Sequence, residues 1–327
     1  MVFAQIYTNL LWYHWVLIGV GIFALSSLLF SIWLVFAIAR RVYLHTLSKT
    51  MGGGWGRVCS APNNPEQVKM WDDGIAYMSQ FKDKLHEVSI QHDGLKLVAE
   101  FYDFGAKKTA VFLCGRCECL MYGYFYAKPY IESGLNVLFI DPRAHGYSEG
   151  ELSTVGIKES EDLVAWMKYI KEEFKQDSFI LHCVCVGGAT GLLAATNEEA
   201  KGMVSKVIVD GVFINFKESY RRHYLDLGHK IFPVFHLIWF WFKVYTKRSV
   251  NESSPYNAVQ KLECPILFIH TKNDKFSLPE NAQKVFDATK TNDKKIVWFE
   301  GGSHSHVRNN ETEKYDSVIK DFLTTNF

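Results

Sequence analysis

From Leu10 to Ala39 the chain carries no charged side chain, and His14 is the one group in that run that titrates near neutrality. About 20 consecutive apolar residues span a bilayer. The run therefore predicts one transmembrane helix with some tilt. Trp12, Tyr13 and Trp15 mark one interface, while Arg40, Arg41, His45 and Lys49 follow the other end. The positive-inside rule then places the C-terminal bulk on the cytoplasmic side of a cell membrane, as a single-pass protein. A cleaved signal peptide is not expected, because there is no basic stretch ahead of a short apolar core.

Beyond an anchor of residues 1–50, the glycine- and proline-containing stretch 51–70 reads as a linker. Residues 71–327 then change rhythm. The segments around Gln91-His-Asp-Gly alternate polar and apolar positions, as in a β-hairpin. Short apolar runs at 109–114, 136–140, 179–183, 206–209, 266–270 and 295–299 predict buried parallel strands. Helical periodicity lies between them, at 123–133, 157–175, 188–197, 279–289 and 313–323. Such alternation predicts an α/β fold, a mostly parallel doubly wound sheet whose ligand site lies at the carboxyl ends of the strands. One insertion, about 216–257, breaks the rhythm. It contains the aromatic run Ile231-Phe-Pro-Val-Phe-His-Leu-Ile-Trp-Phe-Trp-Phe, too short to span a bilayer. It is expected to form a helical lid over an apolar pocket, either packed on the sheet alone or also touching the membrane interface.

Composition narrows the partners. With 36 basic and 35 acidic side chains in 327 residues, no broad basic field suggests a nucleic acid. A neutral small molecule or a lipid fits this balance equally well, and with the lid the expected partners are an apolar or lipid-like small molecule and the membrane. The 7 cysteines are an odd number, unlike the framework of a small secreted domain, and read as reduced thiols.

The chemistry concentrates at predicted strand ends. Leu181-His-Cys-Val-Cys-Val-Gly-Gly has the strand-turn-helix outline of a nucleophile elbow, with Cys185 where G-x-S-x-G has serine and Cys183 where it has the first glycine. Asp274 follows the strand 266–270, and His304 follows the strand 295–299. Nucleophile, acid and base thus occur in the order that acyl transfer on such a sheet uses. Runners-up are Asp210 for the acid and His306 for the base. Arg143 and His145 are expected to brace their own loop, and Ser148, Ser303 and Ser305 lack the elbow context.

Phe112-Leu-Cys-Gly-Arg, Asp141-Pro-Arg-Ala-His-Gly-Tyr-Ser-Glu-Gly, the elbow, Pro265-Ile-Leu-Phe-Ile-His-Thr-Lys-Asn-Asp and Gly301-Gly-Ser-His occur in family order. With them the chain resembles bacterial membrane-anchored α/β-hydrolases of the serine aminopeptidase-like or monoglyceride lipase-like type. The resemblance implies an α/β-hydrolase fold without a cofactor and a Cys185, Asp274, His304 triad. It also implies an oxyanion hole of the Arg116 and Val186 N–H groups, and cleavage of an ester, thioester or amide. The departures are Cys114 in place of the family's histidine, Cys183 in place of glycine and Cys185 in place of serine. Enzymes resembling dienelactone hydrolase use cysteine at that last position. Two other readings stay open: a pseudo-hydrolase that only binds, and a metal or redox cluster of Cys114, Cys117, Cys119, Cys183 and Cys185.

Overall fold

In the computed structural model, which describes residues 11–53 and 55–325, the apolar run forms one helix, α1 (Trp12–Leu47). Residues 12–34 are exposed apart from the half-buried His14, whereas Ala39, Tyr43 and Leu47 are buried in the domain. The remaining helices are α2 (Pro65–Met78), α3 (Lys128–Glu132), α4 (Ile157–Glu173), α5 (Val186–Ala195), α6 (Phe216–Asp226), α7 (Val234–Thr246), α8 (Pro255–Val259), α9 (Pro279–Asp287), α10 (Val307–Asn310) and α11 (Thr312–Thr324). The strands are β1 (Leu85–His92), β2 (Leu95–Tyr102), β3 (Lys108–Leu113), β4 (Asn136–Ile140), β5 (Ser178–Val184), β6 (Val204–Asp210), β7 (Ile266–Thr271) and β8 (Lys294–Phe299).

These strands make one 8-stranded sheet in the order β1-β2-β4-β3-β5-β6-β7-β8. β1 and β2 pair antiparallel, as do β2 and β4, and every later pair is parallel. Asp93 and Gly94 both have positive φ, 50° and 74°, the backbone that a two-residue hairpin turn demands. Each face of the sheet carries an apolar layer. On one, Phe112, Phe139, Phe213 and Tyr315 pack with the end of α1 and with α7. On the other, Val111, Leu138, Leu181 and Phe268 pack with Trp166 and Met167 of α4 and Ala282 and Val285 of α9.

Two expectations need correction. Stretch 51–70 is not a tether in its described residues. Trp55 is buried and stacks on His145 at 4.7 Å between ring centroids, and α2 starts within the stretch, capped by Asn64, which accepts from the Glu66 N–H at 3.0 Å. Arg57 joins Asp141 and Glu100 at 2.9 and 2.6 Å. Those carboxylates are buried and need a cation to offset their lost hydration, so glycine and proline here shape turns around anchored side chains. The helix expected over 123–133 is a 3-10 turn, Leu120–Tyr126, followed by the short α3. A Cβ on Gly123 would stand 2.7 Å from the Phe139 ring, which shows how tightly that turn is pressed on the sheet.

Candidate active site

Cys185 lies between β5 and α5 with φ 53° and ψ −115°, a conformation strained for any side chain and kept where the surroundings impose it. Its N–H donates to the Asp210 carbonyl at 3.0 Å, and its carbonyl accepts from Gly188 at 2.9 Å. The close approach of α5 to the sheet explains the following glycines. A Cβ at Gly187 would be 2.2 Å from the Leu113 carbonyl oxygen, and one at Gly188 would be 3.0 Å from Val209. The turn therefore forms although its first glycine is Cys183. That thiol packs into the layer opposite Cys185, where Gly191 of α5 leaves it space, since a Cβ there would lie 2.3 Å from Cys183 Sγ.

Asp274 and His304 come together as their strand ends predict. His304 Nδ1 and Asp274 Oδ2 are 2.7 Å apart. Asp274 Oδ1 accepts from the N–H groups of Phe276 and Ser277 at 2.8 and 2.7 Å, which fixes the carboxylate. Burial is the largest single influence and opposes its charge, but the His304 hydrogen bond, the charges of His304 and His270 and the Ser277 N–H together outweigh it and hold the carboxyl below its usual range. His304 Nε2 is buried with no nitrogen or oxygen partner among the described residues. Burial works to lower the pKa of this imidazole; the charge of the neighbouring Cys185 sulfur and the Asp274 hydrogen bond overcome it and raise the pKa well above the usual histidine range. Gly211, at φ 72°, lies flat against the ring, where a Cβ would come within 2.9 Å of Cε1. The fold thus brings Asp274 and His304 into hydrogen-bond contact at the edge where the elbow presents Cys185.

The residues that the resemblance implies for an oxyanion hole, Val186 and Arg116, stand at the start of α5 and in the loop after β3. Val186 opens α5, and the first N–H groups of a helix lack intrahelical acceptors. Across from it, the Gly115 N–H donates to Glu118 Oε2 at 2.7 Å, and a Cβ on Gly115 would touch the Cys185 Cβ at 3.5 Å. The next N–H, that of Arg116, has no hydrogen-bond acceptor among the described residues. Glu118 was not singled out by sequence. It receives a second bond from Gln67 Nε2 at 2.8 Å, and burial raises its pKa. This carboxyl sets the shape of the loop that carries Arg116.

The runners-up have other partners. Asp210 is buried and accepts from the Tyr315 hydroxyl at 2.9 Å; burial pushes its pKa up to about 7. His306 contacts Gln67 Oε1 through Nε2 at 2.7 Å and Ser303 through Nδ1 at 3.1 Å. Arg143 makes a two-pronged bond to Asp162 at 2.7 and 2.6 Å, and its carbonyl accepts from His145 Nδ1 at 2.8 Å, so both brace their loop. The cysteines do not form one cluster. Cys114 and Cys185 belong to one layer and Cys183 to the other, and burial raises the pKa of Cys114 and Cys183 and pushes Cys119 up to about 12. Among the described residues no group of three or more His, Cys, Asp or Glu is placed to hold a metal ion.

No known family profile matches the chain. Over 203 residues, 61% of this chain, it is 28% identical to the uncharacterized protein YqkD of Bacillus subtilis, of whose length the match spans 65%. It is 24% identical over 241 residues, 72% of this chain and 77% of the relative, to the uncharacterized membrane protein YNL320W of Saccharomyces cerevisiae. Among solved structures, the Pyrococcus furiosus esterase Pf2001 superposes with a TM-score of 0.60 at 22% identity, over 75% of this chain and 94% of that one. The esterase EaEST of Exiguobacterium antarcticum does so with 0.53 at 17%, over 73% and 100%. The sheet order, the elbow between β5 and α5 and these likenesses lead to one conclusion: the chain has the α/β-hydrolase fold.

Proposed function

We propose that the protein is a membrane-anchored hydrolase that cleaves an ester, thioester or amide bond of an apolar or lipid-like small molecule through Cys185, His304 and Asp274. Its catalytic domain faces the cytoplasm, and no cofactor takes part. The observation that carries this reading is the His304 ring, tied to Asp274 on one side, with its other nitrogen buried and unpaired among the described residues and its pKa raised by the Cys185 sulfur of a strained elbow.

In the first half-reaction the thiol proton passes to His304 Nε2, giving the thiolate–imidazolium pair that the raised His304 pKa favours, and the sulfur then bonds to the carbonyl carbon. The oxygen that gains the electron pair accepts from the Val186 and Arg116 N–H groups. Collapse breaks the bond to the leaving group, which takes the proton from Nε2, and a thioester on Cys185 remains. Water then gives a proton to Nε2 as it attacks. The acid leaves and the proton returns to sulfur. Asp274 stays ionised throughout and keeps the imidazole in the tautomer that presents Nε2. The apolar substrate class is supported by the lid over this edge, where Phe216, Tyr220, Phe235 and Trp239 pack together.

The test is hydrolysis of short acyl esters by wild type, Cys185→Ala, Cys185→Ser and His304→Ala. Turnover by wild type and its loss in Cys185→Ala and His304→Ala are expected. Equal turnover in Cys185→Ala would end the thiol mechanism, and none in wild type or Cys185→Ser would favour a module that only binds.

A further inference from the structure

The lid's aromatic run has more apolar surface than the active site uses. Helix α7 turns Phe235, Ile238 and Phe242 into the core, yet Phe232 is 80% exposed, Leu227 60% and Phe240 48%. What covers that surface follows from how α7 is fixed to α1. The Trp241 indole N–H donates to the Phe36 carbonyl at 3.0 Å, and the Phe36 and Phe240 rings meet edge-on at 5.7 Å. Further along, Tyr43 stacks on Tyr245 at 5.6 Å, and the Thr46 and Tyr220 hydroxyls are 2.9 Å apart. Contacts therefore advance along both helices together, from Phe36 with Phe240 to Tyr43 with Tyr245. The start of α7 and the loop before it lie on the side from which α1 arrives.

Length sets the depth. The exposed stretch 12–34 of α1 is about 34 Å long at about 1.5 Å per residue, which matches a hydrocarbon core of about 30 Å. A helix that fills the core with these residues leaves it near Leu34, so Phe36 and Trp241 stand at the interface, where tryptophan is favoured. Phe232 lies just before the start of α7, ahead of Trp241 on the side from which α1 arrives, and the Tyr224–Phe235 ring contact at 5.5 Å brings the end of α6, with Leu227, to that same start. The cations fall behind: Arg40 sits over the Tyr245 ring at 5.6 Å, and Arg41, Lys243 and Lys247 are exposed at the same end. His229 and Lys230, in the loop itself, are also exposed and have stems long enough, for Lys230, to reach headgroups from an inserted loop.

We propose that the outer face of the lid is a membrane-docking surface: Leu227, Phe232 and Phe240 enter the interfacial layer of an anionic bilayer, with Arg40, Arg41, Lys243 and Lys247 at its phosphates. This rests on α1 being the membrane anchor. It also names a source for the apolar substrate of the proposed function, the bilayer in which the lid rests.

The test uses the full chain in nanodiscs, with an environment-sensitive fluorescent amino acid replacing Phe232, Phe23 within the span, or exposed Val58. Quenchers carried on lipid tails and aqueous iodide are compared, so no activity is needed. The expected result is lipid quenching and a blue-shifted emission at Phe232 as at Phe23, and iodide quenching at Val58. The Phe232 shift is expected to be larger in phosphatidylglycerol than in phosphatidylcholine, and the Lys243→Glu/Lys247→Glu variant to lose that difference. Lipid contact at Phe23 with iodide access at Phe232 overturns the docking surface while leaving the anchor. Iodide access at both removes anchor and docking surface together, and an equal shift in the two lipids removes the headgroup contacts.

Discussion

Replacing Gly191 by alanine tests how the elbow accommodates a cysteine in place of its first glycine. The new Cβ would stand 2.3 Å from Cys183 Sγ and 3.2 Å from Leu113 Cδ1, and neither neighbour has open space to move into, since both are buried in the layer between the sheet and its helices. Overpacking of this kind costs about 1–3 kcal/mol. Against it stands the helix preference of alanine over glycine, about 1 kcal/mol. A net loss of up to about 2 kcal/mol is expected, or a Tm lowered by up to about 8 °C for a domain of this size. Cys183→Gly alone leaves a void and loosens β5, and is also expected to lower Tm. Combined, the two changes move the bulk from strand to helix, and the clash disappears. The double variant should be more stable than the sum of the singles by about 1–2 kcal/mol. The assay is thermal or urea unfolding of the four proteins in one detergent. Additive losses, or a Gly191→Ala variant more stable than wild type, would refute the argument that Gly191 exists to house the Cys183 thiol.

Four other substitutions separate the roles assigned to the site. Burial pushes the Asp210 carboxyl up to about 7, so the folded state holds its proton more tightly than the unfolded chain. The stability from that proton is complete below pH of about 4 and is lost as pH rises towards about 7. Asp210→Asn should therefore flatten the Tm–pH curve in that window and exceed wild type above it, by about 4 kcal/mol at most; an unchanged curve would contradict the assignment. Glu118→Ala leaves the Gly115 N–H without its acceptor and should lower kcat by about tenfold or more with little change in KM, whereas an effect confined to KM would remove Glu118 from the shaping of the oxyanion loop. His304→Ala should lower kcat by about a thousandfold or more, while His306→Ala, which loses only Gln67 and Ser303, should retain most of it; the reverse ranking would exchange their roles.

The parts of this site that sequence exposes are those that end strands. Cys185, Asp274 and His304 each follow an apolar run, and a parallel sheet brings such ends to one edge, so their convergence was legible without coordinates. The destination of Cys183 was not. Alternation along a strand puts positions 183 and 185 on one face, but the chain leaves the strand at Cys185, where φ is 53°, and the two thiols part to opposite layers. That divergence also separates the cysteines of the alternative cluster reading. Glu118 was hidden because its partner Gln67 is 51 positions away, and no period links an acid in one loop to an amide on a helix before the sheet. The stretch 51–70 misled for a related reason: its glycines and prolines suggest freedom, whereas Trp55 and Arg57 find partners in the loop 141–152 and on β2 that only the fold supplies. The lid was expected from an interruption of the alternation, but its attachment to α1 depends on helices about 200 positions apart, as in the 205-residue separation of Trp241 and Phe36.

The most direct test of the central claim is the mass of the covalent intermediate. Full-length protein is mixed with an activated acyl ester, quenched in acid while turnover proceeds, and mapped by peptide mass spectrometry. The account predicts one acyl group, on Cys185, absent from Cys185→Ala and accumulating in His304→Ala only slowly if at all. Acylation of another residue, or turnover by wild type with no adduct on Cys185, would contradict it.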